Sequence, residues 1–354
     1  MSRHPYDTIG RHQRWRTAMA APDPSDIDPV TEPPFRLSPT DRIATAGSCF
    51  AQHIGARLEA GGLTRLVTET AHPVVPAAEA QAMGYGLYTA RFGNIYSARQ
   101  LLQLLRRAYG RFTPQEPAWT DAKGGVIDPF RPGVQPGGFS TLREHDADRA
   151  QHLAAVRRMI EEADVLLFTL GLTECWVSRE DGAVFPICPG VMGGTFDPQR
   201  YSFVNFGAEE VIADLRAFLS EARAINPALR VVLTVSPVPL AATAEPRHVW
   251  TSTTWSKAVL RVAAEAVTDA AAAYFPSYEI ITSPAARGAY YGDDLRSVTP
   301  AGVDHVMRMF FRHMTSEDAQ APTTGAGAPQ RETFLEQAKA AMEVVCEEAS
   351  LDQG

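Results

Sequence analysis

The sequence predicts an α/β fold in which a parallel sheet is covered by helices. Two observations carry this expectation. Short apolar runs alternate with segments of helical periodicity along most of the chain, the pattern of strand–helix–strand crossover units. The 354 residues are 45% hydrophobic and 21% charged, enough to bury a sizeable core as one large α/β domain or two smaller ones.

The elements follow in chain order. Residues 1–40 are rich in Pro, Arg and Asp and read as an irregular arm. "RIATAG" predicts a first strand, ended at Gly47, and a helix follows at once over roughly 49–60, stopped by Gly61-Gly62. "TRLVTET" predicts a second strand, and the stretch after "GNIYSARQ" a helix over about 97–109. Residues 112–142 form a Gly/Pro-rich insertion. A helix across 144–163 leads into the buried-strand pattern "DVLLFTL". "WVSREDGAVFPICPG" reads as a hairpin excursion. A helix near 207–225 feeds "LRVVLTVSPVPL", the clearest strand. A helix over about 255–272, a last strand at "YEIIT" and a last core helix over 300–313 complete the domain. Residues 316–330 read as a flexible linker, and 331–354 as a charged amphipathic helix suited to docking or self-association.

Composition narrows the function. Net charge is -8, and no Lys/Arg run supplies the basic face that nucleic-acid binding needs. No apolar stretch of about 18 residues or more predicts a membrane span. The N-terminus lacks the apolar core of a signal peptide. Cys49, Cys175, Cys188 and Cys346 therefore read as cytoplasmic thiols rather than a disulfide framework. No CxxC or clustered His/Cys spacing suggests a metal.

In open parallel sheets, ligands bind beyond the carboxyl ends of the strands. Attention falls on Gly47-Ser48-Cys49, Gly171 to Cys175, Ser236 to Pro239, and the loop "YYGDDLRSVTPAG". Cys49 and His53 are four residues apart and so neighbours on a helix flank, while Phe50, Ile54 and Leu58 share the inward face. A thiol at a helix N-terminus near an imidazole has more thiolate, the requirement for a cysteine nucleophile. The plainer reading makes Ser48 an N-cap and Cys49 a buried filler. Glu174 orients a base or pairs with an Arg. Lys257 reads as a solvated helix residue, with phosphate binding the alternative. Arg296 beside Asp294 reads as a buried ion pair or an anion clamp. Trp176, Trp250 and Trp255 read as packing aromatics, with the lining of a sugar or acyl pocket the alternative.

The string Gly47-Ser48-Cys49-Phe50-Ala51 resembles the signature of the GSCFA domain family, itself similar to the SGNH/GDSL hydrolases. The likeness extends to "GNIYSARQLLQLL", "FTLGLTECW", "LTVSPVPL", "SKAVLRVAAEA", "YFPSYEII" and "DDLRSVTPAGVDHVM", about residues 1–315. It implies a three-layer α/β/α, flavodoxin-like, SGNH-type domain over 41–315. It puts Cys49 at the nucleophile position and Ser48 at that of an Asp. Gly93 matches an oxyanion-hole glycine, with Asn94 beside it as a further donor. Thr173 replaces an amide donor, a hydroxyl still able to donate once. The last block matches Asp294-Leu295-Arg296-Ser297 with Gly302, so Ser297 stands where the catalytic His usually is.

A cysteine needs less help from a base than a serine does, so the change to Cys49 and the loss of that His are mutually consistent. His53 is the first candidate base and His248 the second. His305 is set aside, because Val303, Val306, Met307 and Phe310 define the inward face of its helix. The resemblance implies acyl transfer or ester hydrolysis through Cys49, on a small molecule or a glycan hydroxyl, with acyl-CoA as the donor a cytoplasmic transferase would use. The competing expectation is a non-catalytic glycan- or partner-binding protein with an eroded site.

Overall fold

The computed structural model describes residues 4–316 and 351. The first half of the chain forms β1 (Ile43–Gly47), α1 (Phe50–Ala60), α2 (Ala77–Ala82), α3 (Ala98–Ala108), β2 (Trp119–Thr120), β3 (Val126–Ile127), α4 (Leu142–Glu162) and β4 (Val165–Leu170). The second half forms β5 (Glu174–Ser178), β6 (Val184–Phe185), β7 (Tyr201–Asn205), α5 (Ala208–Ile225), β8 (Arg230–Val235), α6 (Val249–Ala266), β9 (Ala272–Tyr274), α7 (Ser277–Ile281) and α8 (Pro300–Met314).

The central sheet has the order β1-β4-β8-β9, and every neighbouring pair is parallel. Ala44, Ala46, Leu166, Phe168, Val231 and Leu233 pack on one face against Leu101 of α3, Val156 of α4, Leu215 of α5 and Leu260 of α6. Ile43, Val165, Leu167 and Val232 pack on the other against Phe50 and Ile54 of α1, Ile280 of α7 and Phe310 of α8. Both faces are covered, so these strands read as continuous apolar runs rather than alternating ones.

The predicted excursion after β4 is an antiparallel sheet of order β6-β5-β7, with Trp176 opposite Phe185 and Phe203. The insertion before α4 folds against it through Trp119, Ile127, Phe130, Phe185 and Tyr201. The N-terminal arm lies along α8. Leu37 N donates to Met314 O at 2.7 Å and Ser316 N to Leu37 O at 2.9 Å.

Two strand expectations are corrected. "YEIIT" is helical: Tyr278–Ile281 lie in α7, and the last strand is the preceding β9. Pro276 breaks the chain between them. A short apolar run does not reveal its period. The helix expected over 255–272 is α6, which starts six residues earlier and ends six earlier, at Val249 and Ala266. Its alanine-rich continuation reads as helix by propensity, but pairing with β8 draws Ala272 and Ala273 into the sheet. "TRLVTET" forms only an isolated bridge, Ile43 to Arg65. Thr89 takes the next positions along the edge of β1, donating to Thr45 O at 3.3 Å and accepting from Thr45 N through Oγ1 at 2.8 Å. The linker expected over 316–330, apart from Ser316, and the helix expected over 331–354, apart from Leu351, lie outside the described residues. Among the described residues no helix is long and apolar enough to cross a membrane.

The tightest approach in the sheet is at Gly47. It has φ +132°, and a Cβ there would lie 2.4 Å from Thr169 O and 2.6 Å from Thr169 N. Neither contact is with a side chain that can turn aside. Gly47→Ala is expected to cost at least about 3 kcal/mol through strain and displaced backbone. At about 2–4 degrees per kcal/mol, its thermal midpoint should fall by roughly 6 degrees or more. A midpoint within about 2 degrees of the unsubstituted protein would show that the strand ends can separate.

Candidate functional site

The strand ends β1, β4 and β8 come together because Gly47 pairs with Thr169 and Ser236 N donates to Leu170 O at 2.8 Å. The turn before α3 closes over them. Ile95 N donates to Gly47 O at 2.9 Å and Gly171 N to Tyr96 O at 2.8 Å. The result is a small cavity of about 10 Å³ lined by Ser48, Cys49, Tyr96, Gly171, Ser236 and Lys257, among others. That is room for about one water.

Cys49 is 4% exposed and takes the N-cap position of α1 with helical backbone angles and no side-chain capping bond. Ser48 does not cap the helix either. Its Oγ is buried and makes no hydrogen bond, although the residue lines the cavity. Burying a hydroxyl without a partner is unfavourable, so this orphaned group marks the cavity as polar.

Lys257 corrects the sequence expectation most sharply. It is 2% exposed, not solvated, and its Nζ donates to Gly171 O at 2.6 Å. The signal was present in the helical spacing. Lys257, Leu260 and Ala264 share one buried stripe of α6 with Ser256 and Ala263. Buried lysines are rare because the charged form is costly to desolvate.

The other expected site residues are not among those that line this cavity. His53 packs edge-on against Phe50, ring centroids 6.0 Å apart. Its Nε2 is sealed without a hydrogen bond. Burial, with the neighbouring Arg57 charge, lowers its pKa to about 4. His248 is exposed and caps α6, its Nδ1 accepting from Trp250 N at 3.1 Å. Gly93 turns the chain at φ +67°. Asn94 Oδ1 accepts from Tyr88 OH at 2.6 Å, and the same hydroxyl lies 3.1 Å from Ser48 O.

Thr173 is fully buried, its hydroxyl bonded to Asn205 Oδ1 at 2.7 Å and Ser256 Oγ at 3.0 Å. Glu174 does not pair with an Arg. It accepts from Thr243 Oγ1 at 2.7 Å and Ala244 N at 3.3 Å, and burial raises its pKa.

The loop carrying Asp294 and Ser297 is folded on itself. Ser297 Oγ donates to Asp294 Oδ2 at 2.5 Å, and Ser297 N and Arg296 N donate to Oδ1 at 2.9 and 3.0 Å. Against partial burial, these bonds hold the Asp294 carboxyl below its ordinary range. The loop meets the cavity wall from outside. Arg296 Nε donates to Pro239 O at 3.2 Å and Tyr291 OH to Pro237 O at 2.8 Å.

His305 is buried. It holds the arm, with Tyr290 OH 2.8 Å from Nδ1 and Ile27 O 2.8 Å from Nε2. Trp250 is 76% exposed and so does not pack, whereas Trp176 stacks edge-on against Phe196 at 5.1 Å. Among the described residues no His, Cys, Asp and Glu group is placed to hold a metal ion.

The sequence model of the GSCFA family matches residues 42–310, the span that contains every residue of this cavity. No curated protein and no solved structure matches the chain.

The half-buried His53, with its Nε2 sealed, makes stability depend on pH. Its folded pKa, about 4, is below the 6.5 of an exposed imidazole. The unfolded chain therefore takes up a proton that the folded one refuses. The stabilisation is fully present above pH ~6.5 and is lost as pH falls toward about 4. It amounts to roughly 2–3 kcal/mol after allowing for partial screening. Urea unfolding at pH 7 and pH 4.5 should show this loss, reduced in His53→Gln. An equal loss in His53→Gln would assign it to other groups.

Proposed function

The chain belongs to the GSCFA family, and on that premise we propose that it is an acyl-transfer enzyme with Cys49 as nucleophile and Lys257 as its proton acceptor. The observation that carries this reading is the placement of a buried lysine in the same small cavity as the cysteine at the junction of β1 and α1. The position where a histidine would stand in an SGNH-type site is Ser297, and its hydroxyl is bonded to Asp294. Lys257 offers another route for the proton. Lysine supplies a base when burial favours its neutral amine.

In the proposed reaction, Lys257 takes the Cys49 thiol proton and the thiolate attacks the acyl carbonyl carbon. The bond from that carbon to the leaving oxygen or sulfur breaks, the leaving group takes the proton back from Lys257, and a thioester remains on Cys49. An acceptor hydroxyl, or water in the hydrolytic case, then attacks the thioester carbon and restores the thiol. Ser48 Oγ, buried without a partner, is available to hydrogen-bond a reactant. The acceptor class we favour is a glycan hydroxyl, and the donor an activated acyl group such as acyl-CoA in the cytoplasm. The fold is then of the flavodoxin-like, SGNH type.

A cavity of about 10 Å³ is too small for an acyl group, so entry requires the wall at Val238–Leu240 to move. Arg296 and Tyr291 hold that wall through Pro239 O and Pro237 O. The closed loop of Asp294 and Ser297 also supports a second reading, a binding protein whose catalytic loop has become structural.

Intact-mass measurement after incubation with p-nitrophenyl acetate and with acyl-CoA donors separates the two. One acyl group should appear on the Cys49 peptide, and none in Cys49→Ala. Lys257→Met should slow acylation by about 10²–10⁴-fold, as for loss of a general base. Lys257→Arg should not restore it, since a guanidinium does not release its proton. Burial pushes the thiols of Cys175 and Cys188 up to about 12 and about 11, so neither should compete at pH 7. Absence of an adduct with every donor, together with Cys49 alkylating no faster than Cys175, would favour the binding protein.

A further inference from the structure

A second cavity, of about 20 Å³, lies between α3 and the insertion. Its lining includes Gln100, Gln103 and Arg107 on one face of α3, with Phe130 and Arg131 opposite. At two of the polar groups around it, Arg107 and Gln100, donors remain.

Arg107 is 8% exposed, and its guanidinium lies 3.8 Å from the centre of the Phe130 ring. Its Nη2 is sealed without a hydrogen-bond partner. Asp128 is the carboxylate whose charge it feels, but the Asp128 oxygens already accept from Phe130 N, Arg131 Nε and Arg149 Nη2 at 3.0, 3.0 and 2.8 Å. Gln100 Oε1 is fixed by Tyr96 N and Ser97 N, both at 3.0 Å. That fixes the orientation of its amide and leaves Nε2 as a donor. Both ends of Gln103 are used, Nε2 on Gly182 O at 2.8 Å and Oε1 by Val184 N at 2.9 Å.

The surrounding charges do not balance. Asp148 pairs with Arg91 and Arg131, and Asp128 with Arg131 and Arg149. Glu69 is engaged by His152 Nδ1 at 2.8 Å and Arg91 N at 2.8 Å. Burial keeps His152 neutral, with its pKa lowered to about 4. Arg91, Arg107, Arg131 and Arg149 thus stand against Asp128, Asp148 and Glu69, with one positive charge in excess at Arg107. A buried guanidinium is costly unless an acceptor meets it.

We propose that this cavity is a binding site for a monatomic anion, chloride, which accepts from Arg107 and from Gln100 Nε2. A space of this size admits about one water-sized particle, which suits a halide and leaves no room for phosphate. The ion would neutralise the excess charge and join the insertion to α3. It would also sit behind the Asn94 turn, which Tyr88 links to Ser48.

The test compares thermal unfolding in sodium chloride and sodium gluconate at equal ionic strength. Binding to the folded chain alone raises the midpoint with ligand concentration. Above the dissociation constant, the chloride-specific rise should be roughly 3–5 degrees per tenfold increase. Arg107→Met should abolish that increment. Should this variant fail to fold, anomalous scattering from bromide-soaked crystals of the unsubstituted protein decides, with the expected peak between Arg107 and Gln100. Equal midpoints in the two salts, a chloride increment that persists in Arg107→Met, or a bromide-soaked cavity holding only water would each overturn the proposal.

Discussion

The absence of a side chain at Gly47 sets the geometry on which the rest of the site depends. The end of β1 lies so close to Thr169 of β4 that a Cβ would fall inside backbone atoms, and the chain leaves at φ +132°. L-residues with side chains rarely adopt that angle. The close approach brings Ser48 against Gly171, where a Cβ would lie 3.1 Å from the Ser48 Cβ. It also fixes where α1 begins, and hence where Cys49 sits. The sheet supports this from below. Ile43 to Gly47 and Val165 to Leu170 are buried throughout, so neither strand can slip without exposing apolar surface.

Around that contact the protein gathers polar groups that are individually expensive to bury. Lys257 reaches Gly171 O from α6, Ser48 Oγ has no partner, and Ser236 closes the floor. In a space with room for about one water, charge interactions are stronger than at the surface. The loop of Asp294 and Ser297 acts one layer further out. Its neighbours Tyr291 and Arg296 hold Pro237 and Pro239, so that loop braces a segment that lines the cavity. The arm and α8 form a separate support, joined by His305, Leu37 and the contact of His313 Nε2 with Asp28 at 2.6 Å.

The sequence made much of this legible. The alternation of apolar runs and helices located β1 and β4 and the helices α1, α3, α4, α5 and α8 to within about two residues, the ordinary scatter of element boundaries, and it located the start of β8, which ends at Val235 rather than running on through 240. The junction at Gly47, Ser48 and Cys49 stood out because an apolar run stops at a glycine and a helix begins at once. The excursion after β4 was readable as a hairpin in "WVSREDGAVFPICPG". Expectations failed where a local pattern had two solutions. Ile280 and Ile281 suit a strand or one face of a short helix, and the alanines of β9 suit a helix until β8 pairs with them. Glu174 had a base or an Arg as its expected partner, yet it accepts from Thr243 and Ala244, distant in sequence.

By itself, then, the sequence determined the parallel, helix-covered core and the cysteine at its first strand–helix junction. Both rest on short-range rules: hydrophobic period, glycine conformational freedom and helix start signals. Tertiary structure decided what surrounds that cysteine. Lys257, more than two hundred residues away, enters the cavity only because α6 packs its 257–260–264 stripe against the sheet. Arg107 lies beside a second cavity only because the insertion lays Phe130 across α3. The helical period puts Lys257 on an apolar stripe, but whether a charged side chain there is solvated or buried depends on which distant segment covers it.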